Sequence, residues 1–523
     1  MRKLFRKPIL IIAVLGVILS SCGDDDGTTL TPNGGTISGG PFTFVVDGTS
    51  DFVSGITVDD TDVVGTNSTW VITDEDNNIL GLPGTLDDLE GVDFDAAGTG
   101  VCFIWYLRYE GELEGLAAGM STGALDGSFD LSNSITVTRN ALNAGTITGG
   151  PFTFVVDDQV DNVSGIEIDN SSAMGANSSW LITDADGKVL GMPGTLDAVH
   201  GVDFDGAGVG VCFIWYVRYG DALTGLAVDA DVDDLNSDHF ALSNSIMVTR
   251  VEGAGVTLDI AGLENLGADF VYEGWVLVDG TPVTTGTFTV NDAKELSKTM
   301  FYAAKTDVDA ATKFILTIEP AMDTDPAPSA QKLIAGDFSS DMASLSTATA
   351  PAVGDFSAAA GTFFLRTPTD EADDMNNGND EFGIWFGSPG APPTANFTLP
   401  TLGEGWTYEG WVVTENGPLS TGTFTDFGAV DSGNPFSSTV NNVGPPVPGE
   451  DFFVAPAGSM DTFPLDMRGL TTVISVEPVP DNSTAPFLLK PLLSMIAADA
   501  ATAPTSHDFG QNLSSLPTGS ATR

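Results

Sequence analysis

The stretch that decides the fold reads GVCFIWYLRY at residues 100–109 and returns as GVCFIWYVRY at residues 210–219. Side chains of a β-strand point alternately to its two faces. One face therefore carries Phe103, Trp105 and Tyr109, and the other carries Cys102, Ile104 and Tyr106. Both faces are apolar, which predicts a central strand covered on each side. If the rings were exposed they would form a platform for stacking sugars, so glycan binding stays open as an alternative.

The strand belongs to a long internal duplication. With an offset of 110 residues, 53 of the 92 positions from Thr36 to Gly127 are identical, which establishes two copies of one domain. A period this long exceeds that of solenoid repeats. Within each copy, short β-branched and aromatic runs such as PFTFVVD and SNSITVTR are separated by Gly, Asn and Asp. This pattern predicts an antiparallel, immunoglobulin-like β-sandwich.

The two copies, at 36–139 and 146–250, resemble a repeat module of surface proteins from marine Bacteroidota. A weaker duplication follows them. YEGWVLVDGTPVTTGTF at 272–288 returns as YEGWVVTENGPLSTGTF at 408–424, and a Glu-Pro pair recurs downstream of each. These motifs resemble the extracytoplasmic domain of the anti-sigma-K factor family. The resemblance implies two further β-sandwiches, at about 254–395 and 396–495.

Three pairs of residues repeated in the second duplication stand out as candidates. Trp275 and Trp411 read as core anchors, and Glu273 and Glu409, two residues before them, as strand-end residues. Glu319 and Glu477 precede prolines, and their duplication indicates a structural role.

The start of the chain resembles a bacterial lipoprotein signal. Basic residues lead into an apolar run from Ile9 to Leu19, which is shorter than the roughly 20 residues that span a bilayer. Leu19-Ser20-Ser21-Cys22 then resembles a lipobox, which implies lipidation of Cys22. The acidic run Asp24, Asp25 and Asp26 resembles the surface-export signal of Bacteroidota lipoproteins. We therefore expect a lipid-anchored protein on the exposed face of the outer membrane.

The sequence predicts an all-β protein of four tandem antiparallel β-sandwiches behind this signal peptide. The expected segments are a signal peptide at 1–21, a flexible acidic tether at 22–35, sandwiches at 36–140, 146–251, 254–395 and 396–495, and a frayed polar tail at 496–523.

Charge and cysteine content exclude several classes of function. The formal net charge is −54, and such a surface repels nucleic acid and anionic lipid headgroups. After Cys22 only Cys102 and Cys212 remain, which is too few for a disulfide scaffold. Each lies in the middle of an apolar strand, so we expect two buried, reduced thiols.

Calcium is the one cofactor that the sequence suggests. Oxygen ligands at alternate positions of a turn can wrap Ca²⁺. Such positions are Asp74, Asp76 and Asn78, matched by Asp184 and Asp186, and the pair Asp93 and Asp95, matched by Asp203 and Asp205. The EF-hand pattern fails, however, and Asp and Asn also favour turns by bonding their own backbone. Plain turn chemistry is therefore the competing interpretation.

The sequence offers no catalytic constellation that recurs between copies. His200, His239 and His507 have no counterparts in their sister domains, and we expect surface histidines. The predicted function is that of a non-enzymatic surface protein acting as a binding, spacer or adhesion-type element, with an unknown protein or glycan partner. The alternatives are a glycan- or Ca²⁺-binding accessory lipoprotein and a carboxylate-dependent hydrolase. Anti-sigma activity would need a sigma-binding segment joined through a membrane helix, and is not expected.

Overall fold

The computed structural model describes residues 31–523, apart from 222, 224–225, 233–239, 373–374, 442–443 and 482. Strands dominate, and the three α-helices have at most six residues. In the part of the chain described, no helix is long and apolar enough to cross a membrane. The all-β prediction is confirmed.

The strands and helices of the two repeats follow one another in matching order. The first repeat contains β1 Thr36–Ser38, β2 Phe42–Val46, β3 Thr57–Asp59, β4 Asn67–Thr73, β5 Ile79–Gly81, α1 Leu86–Glu90, β6 Gly100–Glu114, β7 Asp126–Leu131 and β8 Ile135–Ala141. The second contains β9 Thr146–Thr148, β10 Phe152–Val156, β11 Glu167–Asp169, β12 Asn177–Asp184, β13 Val189–Gly191, α2 Leu196–His200, β14 Gly210–Tyr219, β15 Phe240–Leu242 and β16 Ile246–Ala261.

The remaining elements belong to the second half of the chain. They are β17 Phe270–Val278, β18 Thr281–Phe288, β19 Met300–Ala304, α3 Lys305–Ala310, β20 Lys313–Pro320, β21 Lys332–Ser339, β22 Met342–Leu345, β23 Thr362–Leu365, β24 Gly383–Phe386, β25 Trp406–Thr414, β26 Gly417–Phe424, β27 Gly449–Asp451, β28 Thr471–Pro478, β29 Leu492–Met495, β30 His507–Asp508, β31 Gly510–Gln511 and β32 Thr518–Thr522. Short 3₁₀ turns occur at Asp95–Ala97, Thr122–Ala124, Asp205–Ala207, Thr347–Thr349, Asp380–Phe382 and Leu513–Ser515.

The chain divides into two compact units. Among the described residues, one unit comprises those up to 150 together with 164–200 and 212–247, and the other comprises 151–163, 201–211 and 248–523. The first repeat thus lies within one unit and the duplicated second half lies within the other, while the second repeat contributes to both.

The first repeat is built on a six-stranded sheet in the order β2-β8-β6-β4-β5, with β7 also paired to β6. Strand β6 is central, as predicted, and both of its faces are covered. Cys102 and Ile104 pack on one side with Trp70, whereas Trp105 and Tyr109 pack on the other. One pairing departs from the antiparallel prediction, because β2 runs parallel to β8.

The second repeat preserves these pairings. β12 and β14 are antiparallel from Asn177 opposite Tyr219 to Asp184 opposite Cys212. β9 pairs with β11, and β10 again runs parallel to β16.

In the second half, one hydrophobic core extends from Val256 to Ala521. Each Tyr-Glu-Gly-Trp motif lies on a strand with the same three-strand arrangement: β17 between β18 and β20, and β25 between β26 and β28. In both copies the pairing register shifts directly before the tryptophan. The resemblance between the copies therefore includes a β-bulge at the same point.

Two features of this half differ from the sequence expectation. Strands β23 and β24, assigned to a domain ending at 395, pair with β30 and β27 from the following segment. Their side chains join one core, in which Phe386 lies against Phe424 and Phe509. The boundary at 395 therefore does not separate two cores.

The expectation of a frayed tail at 496–523 is wrong. β32 pairs with both β16 and β22, and Ala521 is completely buried. Arg523 also donates to the carbonyls of Val308 and Ala311, each at 2.7 Å. The polar composition of the tail did not predict a strand, because the partner strands β16 and β22 supply both the backbone hydrogen bonds and the apolar contacts.

Candidate functional site

The predicted calcium residues of the first turn bond their own backbone. Asp74 accepts the backbone N–H groups of Asp76 at 3.0 Å and Asn78 at 2.8 Å, and also the Asn78 side-chain amide at 2.9 Å. The hydrogen bonds from Asn78 hold the pKa of Asp74 below its usual value. In the second repeat Asp184 accepts from the N–H groups of Asp186 and Lys188 in the same way. Turn chemistry accounts for these positions, and calcium binding there stays a prediction.

The pair Asp93 and Asp95 holds a neighbouring loop. Asp93 accepts the N–H of Asp51 at 3.1 Å, and Asp95 accepts that of Asp47 at 2.8 Å. Burial raises the pKa of Asp51 to about 6, with smaller contributions from the three other carboxylates. Asp47 and Asp51 were not predicted from the sequence, because they lie more than 40 residues before their partners.

The same arrangement recurs in the second repeat. Asp205 accepts the N–H of Asp157 at 2.8 Å, and Asp203 accepts that of Asp161 at 3.3 Å. Burial again raises the pKa of Asp161. These hydrogen bonds fix the loop and do not by themselves indicate a bound ion.

The cysteines confirm the sequence expectation, since Cys102 and Cys212 are buried thiols. Burial raises the pKa of Cys102, which disfavours the reactive thiolate. The histidines agree less well. His200 is half-buried at the end of α2, and His507 stacks on Phe363 with its Nε2 2.8 Å from the carbonyl oxygen of Ala501. Cys22, Asp24, Asp25, Asp26 and His239 lie outside the described residues.

The buried carboxyl groups of the second half form a more distinctive site. Each copy of the Tyr-Glu-Gly-Trp motif supplies one glutamate, and the downstream Glu-Pro-x-x-Asp segment supplies a second glutamate and an aspartate. We call the two sets the first and second acidic triads. The first is Glu273, Glu319 and Asp323; the second is Glu409, Glu477 and Asp481.

Matching hydrogen bonds hold the glutamates in both triads. The first glutamate accepts from a hydroxyl on the neighbouring strand, Thr284 for Glu273 and Ser420 for Glu409. The second glutamate accepts a backbone N–H ten residues further on. This bond is 2.8 Å from Ser329 to Glu319 and 2.9 Å from Phe487 to Glu477.

The second triad is closed. Carboxylate oxygens from Glu409, Glu477 and Asp481 all lie within 4.8 Å of one another. Glu477 is completely buried and Glu409 is 5% exposed. Within the described residues, the Oε2 atom of Glu409 is buried without a donor when the acids are ionised, and a hydrogen bond between Glu409 and Asp481 requires that one of the two carboxyls be protonated.

Burial also alters the protonation of this site. Desolvation is the main cause that raises the pKa of Glu409 to about 8 and that of Glu477 to about 7. The nearby Lys490 is itself desolvated, which lowers its pKa, and it faces both Glu477 and Glu264. The site therefore concentrates acidic groups without matching positive charge.

A cavity of about 610 Å³ opens beside the second triad. Its lining includes Glu477, Asp481, Glu264 and Phe487. Glu477 and Asp481 contribute to the cavity wall, and Glu409 lies behind them. The arrangement can hold a proton shared between acids or a cation.

The sequence predicted strand-end positions for Glu273 and Glu409 and a structural role for Glu319 and Glu477, and it did not single out Asp323 or Asp481. The strand-end prediction is wrong, because Glu273 and Glu409 lie inside β17 and β25. The repeated spacing Glu-Pro-x-x-Asp was the available signal. This spacing could not show that the three carboxylates of the second triad lie close together, because the pairing of β25 with β28 brings Glu409 and Glu477 together across the sheet.

The chain matches no protein family and no curated protein. Among solved structures, it is similar to Sidekick-1 immunoglobulin domains 1–4, with 10% identity over 75% of this chain and 91% of that chain. The TM-score is 0.16, which carries no argument about fold or function.

Proposed function

We propose that this protein is a lipid-anchored, non-enzymatic surface protein whose β-sandwich modules act as a binding or spacer element. The observation that carries the proposal is a duplication retained at the level of individual hydrogen bonds. Trp105 donates to Thr73 at 3.0 Å, and Trp215 donates to Thr183 at 3.1 Å. A protein that repeats a whole module, including its internal hydrogen bonds, can present the same surface more than once, as a multivalent binding protein does.

A second pair of bonds supports the same conclusion. Asn133 accepts from and donates to the backbone of Ile37, and Asn244 does the same with Ile147. The residues that both repeats share thus maintain the module itself. The resemblance of the leader to a lipoprotein signal supplies the proposed anchor at Cys22 and the proposed export signal at Asp24–Asp26.

The alternative of a Ca²⁺- or glycan-binding accessory protein is favoured by one observation, the carboxylate-lined cavity at the second acidic triad. This alternative keeps the anchor and adds a ligand.

The anchor is tested with Cys22→Ala in the full chain. We expect the variant to leave the membrane fraction, because each buried lipid CH₂ contributes about 0.8 kcal/mol of membrane affinity. Replacement of Asp24, Asp25 and Asp26 by alanine is the matched variant, which should remain in membranes but lose accessibility to protease on whole cells. Unchanged fractionation of Cys22→Ala would refute the anchor.

A further inference from the structure

The second acidic triad places several negative charges close together in a buried site, which is the charge problem that the structure must solve. Three carboxylates with oxygens within 4.8 Å repel one another, and two of them are almost completely removed from water. Such a cluster is stable only when protons or a bound cation reduce its negative charge. Lys490 is a nearby cation, and it also interacts with Glu264.

A second observation points to a ligand at this site. Glu409 is 95% removed from solvent, and its Oε1 accepts from Ser420, but its Oε2 finds no donor among the described residues when the acids are ionised. A buried acceptor without a donor costs about 1–3 kcal/mol, and more when it is charged. A cation between Glu409 and the other two carboxylates would satisfy this oxygen.

The donor set defines the kind of cation. Carboxylate oxygens, with neither sulfur nor imidazole among them, favour the hard ions Ca²⁺ and Mg²⁺ over zinc. Ca²⁺ accepts six to eight oxygens in flexible geometry, and the adjoining cavity has room for water ligands. Mg²⁺ demands near-ideal octahedral geometry and loses its water reluctantly.

We propose that Glu409, Glu477 and Asp481 bind one Ca²⁺ ion at the wall of the 610 Å³ cavity. The first triad provides the internal reference. Its Asp323 is exposed, and Glu273 is only half-buried, so the same residue types are present without the closed arrangement. The assignment goes beyond the surface role and beyond the aspartate turns of the repeats.

The experiment is calorimetric titration of the full chain with CaCl₂ in physiological salt and excess Mg²⁺, on wild type, Asp481→Asn and Asp323→Asn. We expect wild type and Asp323→Asn to bind one more Ca²⁺ per chain than Asp481→Asn, or to bind it at least about 10-fold more tightly. Even outer-shell changes at metal sites cost that much affinity. Binding at the aspartate turns is common to all three proteins and cancels in the comparison.

Glu409→Gln is the second variant, because it preserves the shape of the buried side chain while removing one charged ligand. It should lose the same site as Asp481→Asn, and Ca²⁺ should raise its melting temperature less than that of wild type. Equal Ca²⁺ binding by wild type, Asp481→Asn and Glu409→Gln would overturn the proposal and leave proton sharing as the solution to the charge problem. Equal loss in Asp323→Asn would overturn it as well. Neither result bears on membrane anchoring.

Discussion

The two acidic triads share one framework of hydrogen bonds but lie in different environments. In both, a tyrosine hydroxyl donates to the backbone carbonyl eight residues earlier, from Tyr272 to Glu264 and from Tyr408 to Pro400. The glutamates also keep equivalent donors. What differs is the aspartate, which is exposed in the first copy and half-buried against its glutamates in the second. Framework residues alone therefore do not create the site; the loop that returns the aspartate does.

The difference extends to a hydroxyl beside the tryptophan. Trp275 donates to Thr317, which contacts the backbone of Glu273, whereas Trp411 donates to Ser475, which in turn donates to the Glu477 carboxylate. The second copy thus couples its core anchor to its acidic cluster.

The largest expected effect tests whether the frameworks are equivalent. Trp275→Ala and Trp411→Ala should each lower the free energy of unfolding by about 3–5 kcal/mol, because both rings are buried in the core. Urea denaturation followed by circular dichroism measures the change. Met495→Ala, at a side chain 75% exposed, is the control and should have little effect. A large loss in only one tryptophan variant would break the comparison.

A buried carboxyl outside both triads tests whether burial raises pKa values elsewhere in this core. Desolvation is the main cause that raises the pKa of Glu450 to about 8 from 4.5, and Asp431 and Asp451 add to it. Since the folded pKa is the higher one, this stabilising contribution is complete below about pH 4.5 and is lost as pH rises through about 8.

Glu450→Gln should therefore flatten the fall in stability between these pH values, by up to a few kcal/mol at the alkaline end. The measurement is urea denaturation at pH 5, 7 and 9, with wild type in the same buffers. If the slope is unchanged, burial and the neighbouring acids do not keep the Glu450 carboxyl neutral.

The smallest effect concerns the hydroxyls beside the tryptophans. Ser475→Ala should cost about 1–3 kcal/mol, because it removes partners from both the Trp411 indole and the Glu477 carboxylate. Thr317→Val should cost less, since it removes the partner of Trp275 and only a 3.4 Å contact to backbone. The same urea assay compares them. Equal costs would mean that the link from Trp411 to the carboxylate contributes nothing.

Local patterns predicted much of this structure. Alternation along β6 placed Cys102 and Trp105 on opposite buried faces, and the tryptophans of the duplicated motif are core residues. These predictions succeed because the two-residue period of a strand depends only on neighbouring residues.

Long-range pairing could not be predicted in the same way. The parallel contact of β2 with β8, and the exchange that brings β23 and β24 to β30 and β27, join segments far apart in sequence. The second acidic triad could not be predicted from the sequence for the same reason. Glu477 was interpreted as a framework residue, and only its proximity to Glu409 and Asp481 gives it a further role.

The position of β32 has a consequence for how the chain folds. Its partners, β16 and β22, are synthesised long before it, yet their sheet cannot close until the ribosome has reached Thr522. Pairings between such distant segments form slowly, because loop-closure entropy opposes them. Until then the edges of β16 and β22 are open to pairing with other chains. The segment that carries β16 and β22 therefore stays incompletely paired until β32 joins its sheet.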